Sequence, residues 1–173
     1  MEIMQTIDEV FQAAQSGDAQ RLKLLLEANP GLASEENRDG LTPLGYAAHF
    51  GNQAVVQTLL DFGADVNAVS HSKLSYIPSN TALHAAIAGE RSMEVIGLLL
   101  ASGAKTDVFD SNSHTCLHSA AFHDDNEALI ELLIGHGAQV NAKAEGGVTA
   151  LELAEQRGNE KVIGRLLRHG AVR

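Results

Sequence analysis

Five side chains able to bind a metal or move a proton fall within twelve residues: His114, His118, His123, Asp124 and Asp125. Imidazole nitrogens and carboxylate oxygens are common zinc donors, and a histidine beside a carboxylate can act as an acid–base pair. The spacing matches no established zinc pattern, however. Asp124-Asp125-Asn126 also has a simpler job at the start of a following helix, where such side chains accept backbone N–H bonds. A metal-dependent enzyme or sensor using the His114–Asp125 cluster is therefore the alternative reading of this chain. Cys116 lies in the same stretch and is the only cysteine, so it has no resolving partner for redox chemistry. The sequence contains no G-x-S-x-G nucleophile turn, no glycine-rich phosphate loop and no H-E-x-x-H pair. No catalytic residue, metal ligand or cofactor site is assigned.

The elements that hold these residues recur along the chain. Thr42-Pro43-Leu44-Gly45-Tyr46-Ala47-Ala48, Thr81-Ala82-Leu83-His84-Ala85-Ala86, Thr115-Cys116-Leu117-His118-Ser119-Ala120-Ala121 and Thr149-Ala150-Leu151-Glu152-Leu153-Ala154 are four versions of one phrase. Their threonines are spaced 39, 34 and 34 residues apart. A second phrase keeps step: Gly63-Ala64-Asp65-Val66-Asn67-Ala68, Gly103-Ala104, Gly137-Ala138-Gln139-Val140-Asn141-Ala142 and Gly170-Ala171. Two interleaved phrases with this period resemble the ankyrin repeat, with its T-P-L-H-x-A signature.

The resemblance implies an all-α ankyrin solenoid of five helix-turn-helix repeats with β-turn fingers. The expected division is a single domain, residues 1–173, with an N-terminal capping repeat at 1–38 and a repeat with an extended finger at 39–77. Repeats at 78–111 and 112–145 follow, then a C-terminal capping repeat at 146–173. Each threonine is expected to cap a helix, with Pro43 at a first helical position and Gly63 at a left-handed stop. In the first repeat the threonine is expected to be replaced by Asp8, and Asp18 is expected to cap a second helix carrying Leu22, Leu24, Leu25 and Leu26. Lys161, Arg165 and Arg168 are expected on a charged outer face of the last repeat. His84 and His118 occupy the signature histidine position, which implies hydrogen bonds that tie adjacent repeats together. Cys116 replaces the signature proline and is expected to be a small packed side chain.

Spacing locates two irregularities. The middle two repeats have one extra residue each, near Gly89–Ser92 and His123–Asn126. The finger from Gly63 to Thr81 has gained six residues and includes Leu74, Tyr76, Ile77 and Pro78.

Composition narrows the function further. The chain has 173 residues, 45% of them apolar, with 4% aromatic and no tryptophan. Such a core must be aliphatic and rich in alanine, which suits closely stacked helices. The net charge is −10, and it is unevenly placed. Residues 1–142 carry 6 Lys/Arg against 18 Asp/Glu, a balance of −12, whereas 143–173 carry 6 against 4, or +2. An acidic body argues against nucleic acid and anionic membrane and for a neutral or basic partner. A soluble, cytoplasmic protein, monomeric on its own, is expected from the single cysteine and the lack of a secretory signal or a long apolar run.

The expected function is non-catalytic binding of another protein, with an inhibitor or immunity-type role toward a basic target as its most specific form. In proteins of the resembled family, partner contacts come from the fingers and from the residues after the Ala-Ala pair. Those positions are Arg38, Asp39, Leu41, His49, Phe50, Leu74, Tyr76, Ile77, Asn80, Phe109, Asn112, His114, Phe122 and His123. Phe50, Tyr76, Phe109 and Phe122 are not needed by the repeat core, and exposed aromatic rings are frequent binding hot spots.

Overall fold

The structure is a computed structural model that describes residues 2–173, with side chains described from 4 onward. Among the described residues there are ten α-helices and no strand. The helices pair as α1 (Glu2–Ser16) with α2 (Ala19–Ala28), α3 (Pro43–His49) with α4 (Gln53–Asp61) and α5 (Ala82–Ala88) with α6 (Met93–Ala101). The remaining pairs are α7 (Cys116–His123) with α8 (Glu127–Gly135) and α9 (Ala150–Arg157) with α10 (Glu160–Arg168). Two compact units result, one reaching to Ala104 and one from Lys105 to Arg173.

Most of these helices are seven to ten residues long, too short to persist alone in water, so their stability comes from packing. In the first unit α3 packs against α1 and α5, and α4 against α2 and α6. In the second, α7 packs on α9 and α8 on α10. Ala13, Ala14, Ala47, Ala48 and Ala86 are buried where the first helices of neighbouring repeats meet, and their small side chains let the backbones approach closely. Val55, Val56, Leu59, Ile96 and Leu99 fill the layer behind them. Burying one such aliphatic side chain contributes about 1.5–3 kcal/mol.

The repeated threonines are the caps. The side chains of Thr42, Thr81, Thr115 and Thr149 accept the backbone N–H of Gly45, His84, His118 and Glu152. Gly63, Gly103, Gly137 and Gly170 end the second helices at φ of 89°, 94°, 94° and 87°. Beyond each, the alanine N–H returns to a carbonyl five residues earlier, as in Ala64 to Leu59 and Ala171 to Leu166, both 3.0 Å.

Several local expectations need correction. Helix α1 begins at Glu2, so Asp8 lies exposed in mid-helix rather than at a cap; the added turn is anchored by buried Ile7. Helix α2 carries Leu22, Leu24, Leu25 and Leu26 as expected; it buries the face of Leu22 and Leu26, four residues apart, and Leu24 points away from it, 64% exposed. Asp18 does cap α2, accepting the N–H of Arg21 at 3.0 Å. Residues 30–34 form a 3-10 turn that buries Leu32 and Ala33. Arg165 is not on an outer face. Its guanidinium turns back to α8, 2.9 Å from Glu131 and 3.1 Å from Glu127, while His169 reaches Glu131 at 2.7 Å. The hydrogen bond from His169, and then that from Arg165, holds the Glu131 carboxyl below its ordinary range.

The extra residue of the middle repeats is absorbed in two ways. Between α5 and α6 it enlarges the turn Gly89–Ser92, with Arg91 at φ 55°; in the next repeat it lengthens α7 to eight residues.

Two fingers share one design. Asn37 N–H donates to Leu41 O at 3.0 Å, and Asn37 Oδ1 accepts from the N–H of Asp39 and Leu41. Asp110 repeats this with His114 O at 2.9 Å, and its Oδ1 accepts from Asn112 and His114. The fourth position is left-handed in both, Gly40 at φ 77° and Ser113 at φ 63°. A serine there carries a steric cost that glycine avoids. Ser113→Gly should therefore stabilise the protein by about 0.5–1 kcal/mol, the extra freedom of an unfolded glycine offsetting part of the gain. A urea midpoint that rises at constant slope will show this; a lowered midpoint would mean that the serine side chain itself holds the finger.

Candidate functional site: fingers and first-helix faces

In the first unit the inserted loop is tied to the finger before it. His71 N–H donates to Gly40 O at 2.9 Å and to Glu36 Oε2 at 3.0 Å, and its Nδ1 lies 2.9 Å from Glu36 Oε1. Lys73 N–H donates to Asp39 O at 2.9 Å. The approach depends on glycine, because a Cβ on Gly40 would sit 1.9 Å from His71 O. The far side of the loop is closed by Ser70 N–H to Asn80 O, Asn80 N–H to Ser70 Oγ and Ser72 N–H to Ser79 Oγ. A turn from Leu74 to Ile77 forms the tip, with Ile77 N–H on Leu74 O at 3.2 Å.

The candidate residues divide along this frame. Arg38 and Asp39 are exposed at the tip of the first finger, and Leu41 and Asn80 are half-buried at the bases. Leu74 and Ile77 are half-buried, so only Tyr76, 78% exposed, is fully presented to solvent. Across α1 and α3 the rings of Phe11, Tyr46, Phe50 and His49 form a continuous run, Phe11 coming from α1 and Phe50 capping α3, with centroids 5.1, 5.1 and 5.2 Å apart. His49 is exposed but Phe50 is half-buried, so Phe50 is partly a packing residue.

The second unit brings together a different set. Phe109 is 48% exposed and Asn112 is exposed beside it on the finger. His114 is half-buried, its ring stacked on His118 at 5.6 Å and 10°. Phe122 is half-buried as well: the Arg157 guanidinium lies 4.7 Å from its centroid, and exposed His123 meets it edge-on at 5.3 Å.

The histidine and carboxylate cluster is dispersed by the same geometry. His118 is 1% exposed, and both its ring nitrogens are engaged. Thr115 N–H donates to Nδ1 at 3.2 Å, and Nε2 lies 2.9 Å from Val148 O. An N–H only donates and a carbonyl only accepts, so the ring is the neutral form with its proton on Nε2. Burial, above all, pushes its pKa down. Asp124 Oδ1 accepts the N–H of Asp125, and Asp125 Oδ1 accepts the N–H of Val162 at 3.0 Å. Among the described residues no group of three or more His, Cys, Asp or Glu is placed to hold a metal ion. Cys116 is buried with its thiol pushed up to about 12, chiefly by desolvation, which leaves it protonated and inert.

Two sets of asparagines went unread in the sequence. Asn52 Nδ2 donates to Ala14 O at 2.7 Å and Asn159 Nδ2 to Ala121 O at 2.8 Å, each linking a helix turn to the preceding repeat. Asn67 Nδ2 donates to Gly103 O, and Asn141 Nδ2 to Gly170 O, both at 3.0 Å, linking each repeat to the next. Their signal was the recurrence of Gly-Asn and Val-Asn-Ala at matching places.

A family pattern described as ankyrin repeats, in three copies, matches residues 10–110 and again 88–172. The chain belongs to the ankyrin-repeat family. Ankyrin repeats generally mediate protein–protein interaction, and the four repeated phrases are the copies of that repeat. The ankyrin chain is 30% identical over 181 residues to the E3 ubiquitin-protein ligase XBAT33 of Arabidopsis thaliana, covering 87% of this chain and 34% of that protein. It is 32% identical over 139 residues to the fowlpox virus ankyrin repeat protein FPV031, covering 78% of this chain and 39% of that one. A shorter match, 42% identical over 71 residues, is to mouse Rabankyrin-5, covering 41% of this chain and 6% of the relative. The ankyrin chain thus spans little more than a third of the length of its first two relatives. No helix among the described residues is long and apolar enough to cross a membrane.

Proposed function

We propose that this chain is a non-catalytic module that docks a partner protein on its fingers and first-helix faces. The observation that carries the reading is Tyr76, 78% exposed on a loop whose base is pinned to the preceding finger by Gly40 O, Asp39 O and Glu36. A large apolar ring held out on a preformed loop has little ordering entropy left to lose on docking. Arg38, Asp39 and His49 extend the contact surface of the first unit, and Phe109, Asn112 and His123 form a candidate surface of the second.

The net charge of −10 favours a neutral or basic partner over nucleic acid or anionic membrane. An inhibitor or immunity-type role toward a basic target is the most specific form of this reading, for a protein that is a soluble, cytoplasmic monomer when unbound. The division into five repeats, with caps at 1–38 and 146–173, belongs to the same proposal.

Two variants test it against a partner recovered from the native host by affinity capture. Deleting Lys73–Pro78 restores the shorter Gly-to-Thr spacing of the other fingers and retains Ser70, His71 and Asn80. Insertions of this length add little closure entropy, so melting should shift by no more than about 2–4 °C, the equivalent of roughly 1 kcal/mol. Partner affinity should fall at least tenfold, about 1.4 kcal/mol. Tyr76→Ala should weaken binding in the same direction without changing melting. A large loss of stability on deletion would make the loop structural, and unchanged affinity in both variants would remove it from the site.

A further inference from the structure

We infer that the His49–Phe50 ring pair of the first unit is the seat for an arginine side chain of the partner, an inference that rests on the reading of the chain as a protein-binding module. A paired-ring design occurs twice with the order of the rings exchanged, so that Phe122 corresponds in position to His49 and His123 to Phe50. Ala47-Ala48 is followed by His49-Phe50, and Ala120-Ala121 by Phe122-His123. The two rings meet edge-on in both, at 5.2 Å and 82° and at 5.3 Å and 89°. In the second unit a guanidinium from the next repeat lies over the phenylalanine of the pair, Arg157 being 4.7 Å from the Phe122 centroid.

The first unit cannot supply that cation from the corresponding place. Arg157 is the eighth residue after its capping threonine, Thr149; the eighth after Thr81 is Gly89. Nothing larger fits there, since a Cβ on Gly89 would lie 2.1 Å from His49 O. Helices α1, α3 and α5, which carry this face, contain no lysine or arginine, whereas α1 carries Asp8 and Glu9. Glu90 adds an exposed carboxylate close by: its N–H donates to His49 O at 2.9 Å, and its Cβ is 3.3 Å from where a Gly51 Cβ would be. An aromatic pair beside a carboxylate suits a planar guanidinium, which stacks on the ring and donates to the oxygens together.

The probe is a Gly-Ser peptide carrying three spaced arginines, titrated into isotope-labelled full chain and followed by NMR, beside the same peptide with citrulline at those positions. The arginine peptide should shift Tyr46, His49, Phe50 and Glu90. Its affinity should drop at least about threefold both for the citrulline peptide and for Phe50→Leu, whose fold is checked by its spectrum away from α3. Arg157→Ala should uncover a second arginine site at Phe122 and His123, an arm that holds even if Phe50→Leu fails to fold. Equal binding of the two peptides, shifts confined to other surfaces, or no new site in Arg157→Ala would overturn the inference. Those outcomes, with partner capture still lost on deletion of Lys73–Pro78, would leave the binding-module reading standing and remove only the arginine seat.

Discussion

Replacing Leu83 with alanine should cost about 2–5 kcal/mol of unfolding free energy. The side chain is 1% exposed on α5, and α5 packs on α3. Truncation removes the transfer free energy of the lost methyl groups and leaves a cavity, because helices built on buried alanines have little slack with which to close it. Urea denaturation will read the loss as a lowered midpoint at unchanged slope. Ala88→Ser, at the exposed end of the same helix, should leave the midpoint within about 0.5 kcal/mol and controls for helix propensity. A wild-type midpoint in Leu83→Ala would mean that the face of α5 has been misplaced.

Acidification should be the second strong perturbation, acting through His118. Its folded pKa lies below the ordinary histidine value, chiefly through burial. The unfolded state therefore binds the proton more readily, and stability rises with pH across the window between the folded and unfolded values. The contribution is fully present above about pH 6.5 and declines as the pH falls below that toward the lowered pKa, by at most about 1.4 kcal/mol per pH unit for one proton. Geometry gives the reason. A proton added to Nδ1 would face the Thr115 N–H at 3.2 Å, another donor, in a site 1% exposed.

His118→Gln should lose about 1–3 kcal/mol at pH 7, since it leaves buried partners poorly satisfied. It should also show a shallower decline between pH 7 and 5 than the wild type. Parallel curves for the two proteins would assign the acid sensitivity to other groups.

Most of the fold was readable because its signals are local and repeated. A threonine accepting an N–H three residues on, or a glycine at positive φ, is settled within one turn of helix, and four copies expose the pattern. His118 was readable for the same reason, since its tie to Val148 of the next repeat comes with its place in the signature. What stayed unreadable was a residue's environment where one neighbour sets it. Arg165 could be placed on the helix but not on a side of it, until Glu127 and Glu131 of α8 were found opposite. Leu24 follows Leu22 in an apolar run, and only the packed face of α2 shows which of them is inside.

The candidate surface was legible as positions and not as states. Its sequence marked Phe50, Phe122 and Tyr76 alike as rings beyond the needs of the core. Tertiary structure separated them: Phe50 rests against Tyr46, Phe122 lies under Arg157 and Tyr76 stands in solvent. Likewise, six added residues announced a longer loop, while its attachment depended on Gly40, thirty-one residues before His71, having no Cβ. By itself the sequence determined the all-helical ankyrin repeat, its caps and stops, and the buried aliphatic layers, because each follows from spacing within a repeat. Which rings remain exposed, where the inserted loop is fastened and which charges are paired was decided only in three dimensions, because those contacts join residues that no short-range pattern relates.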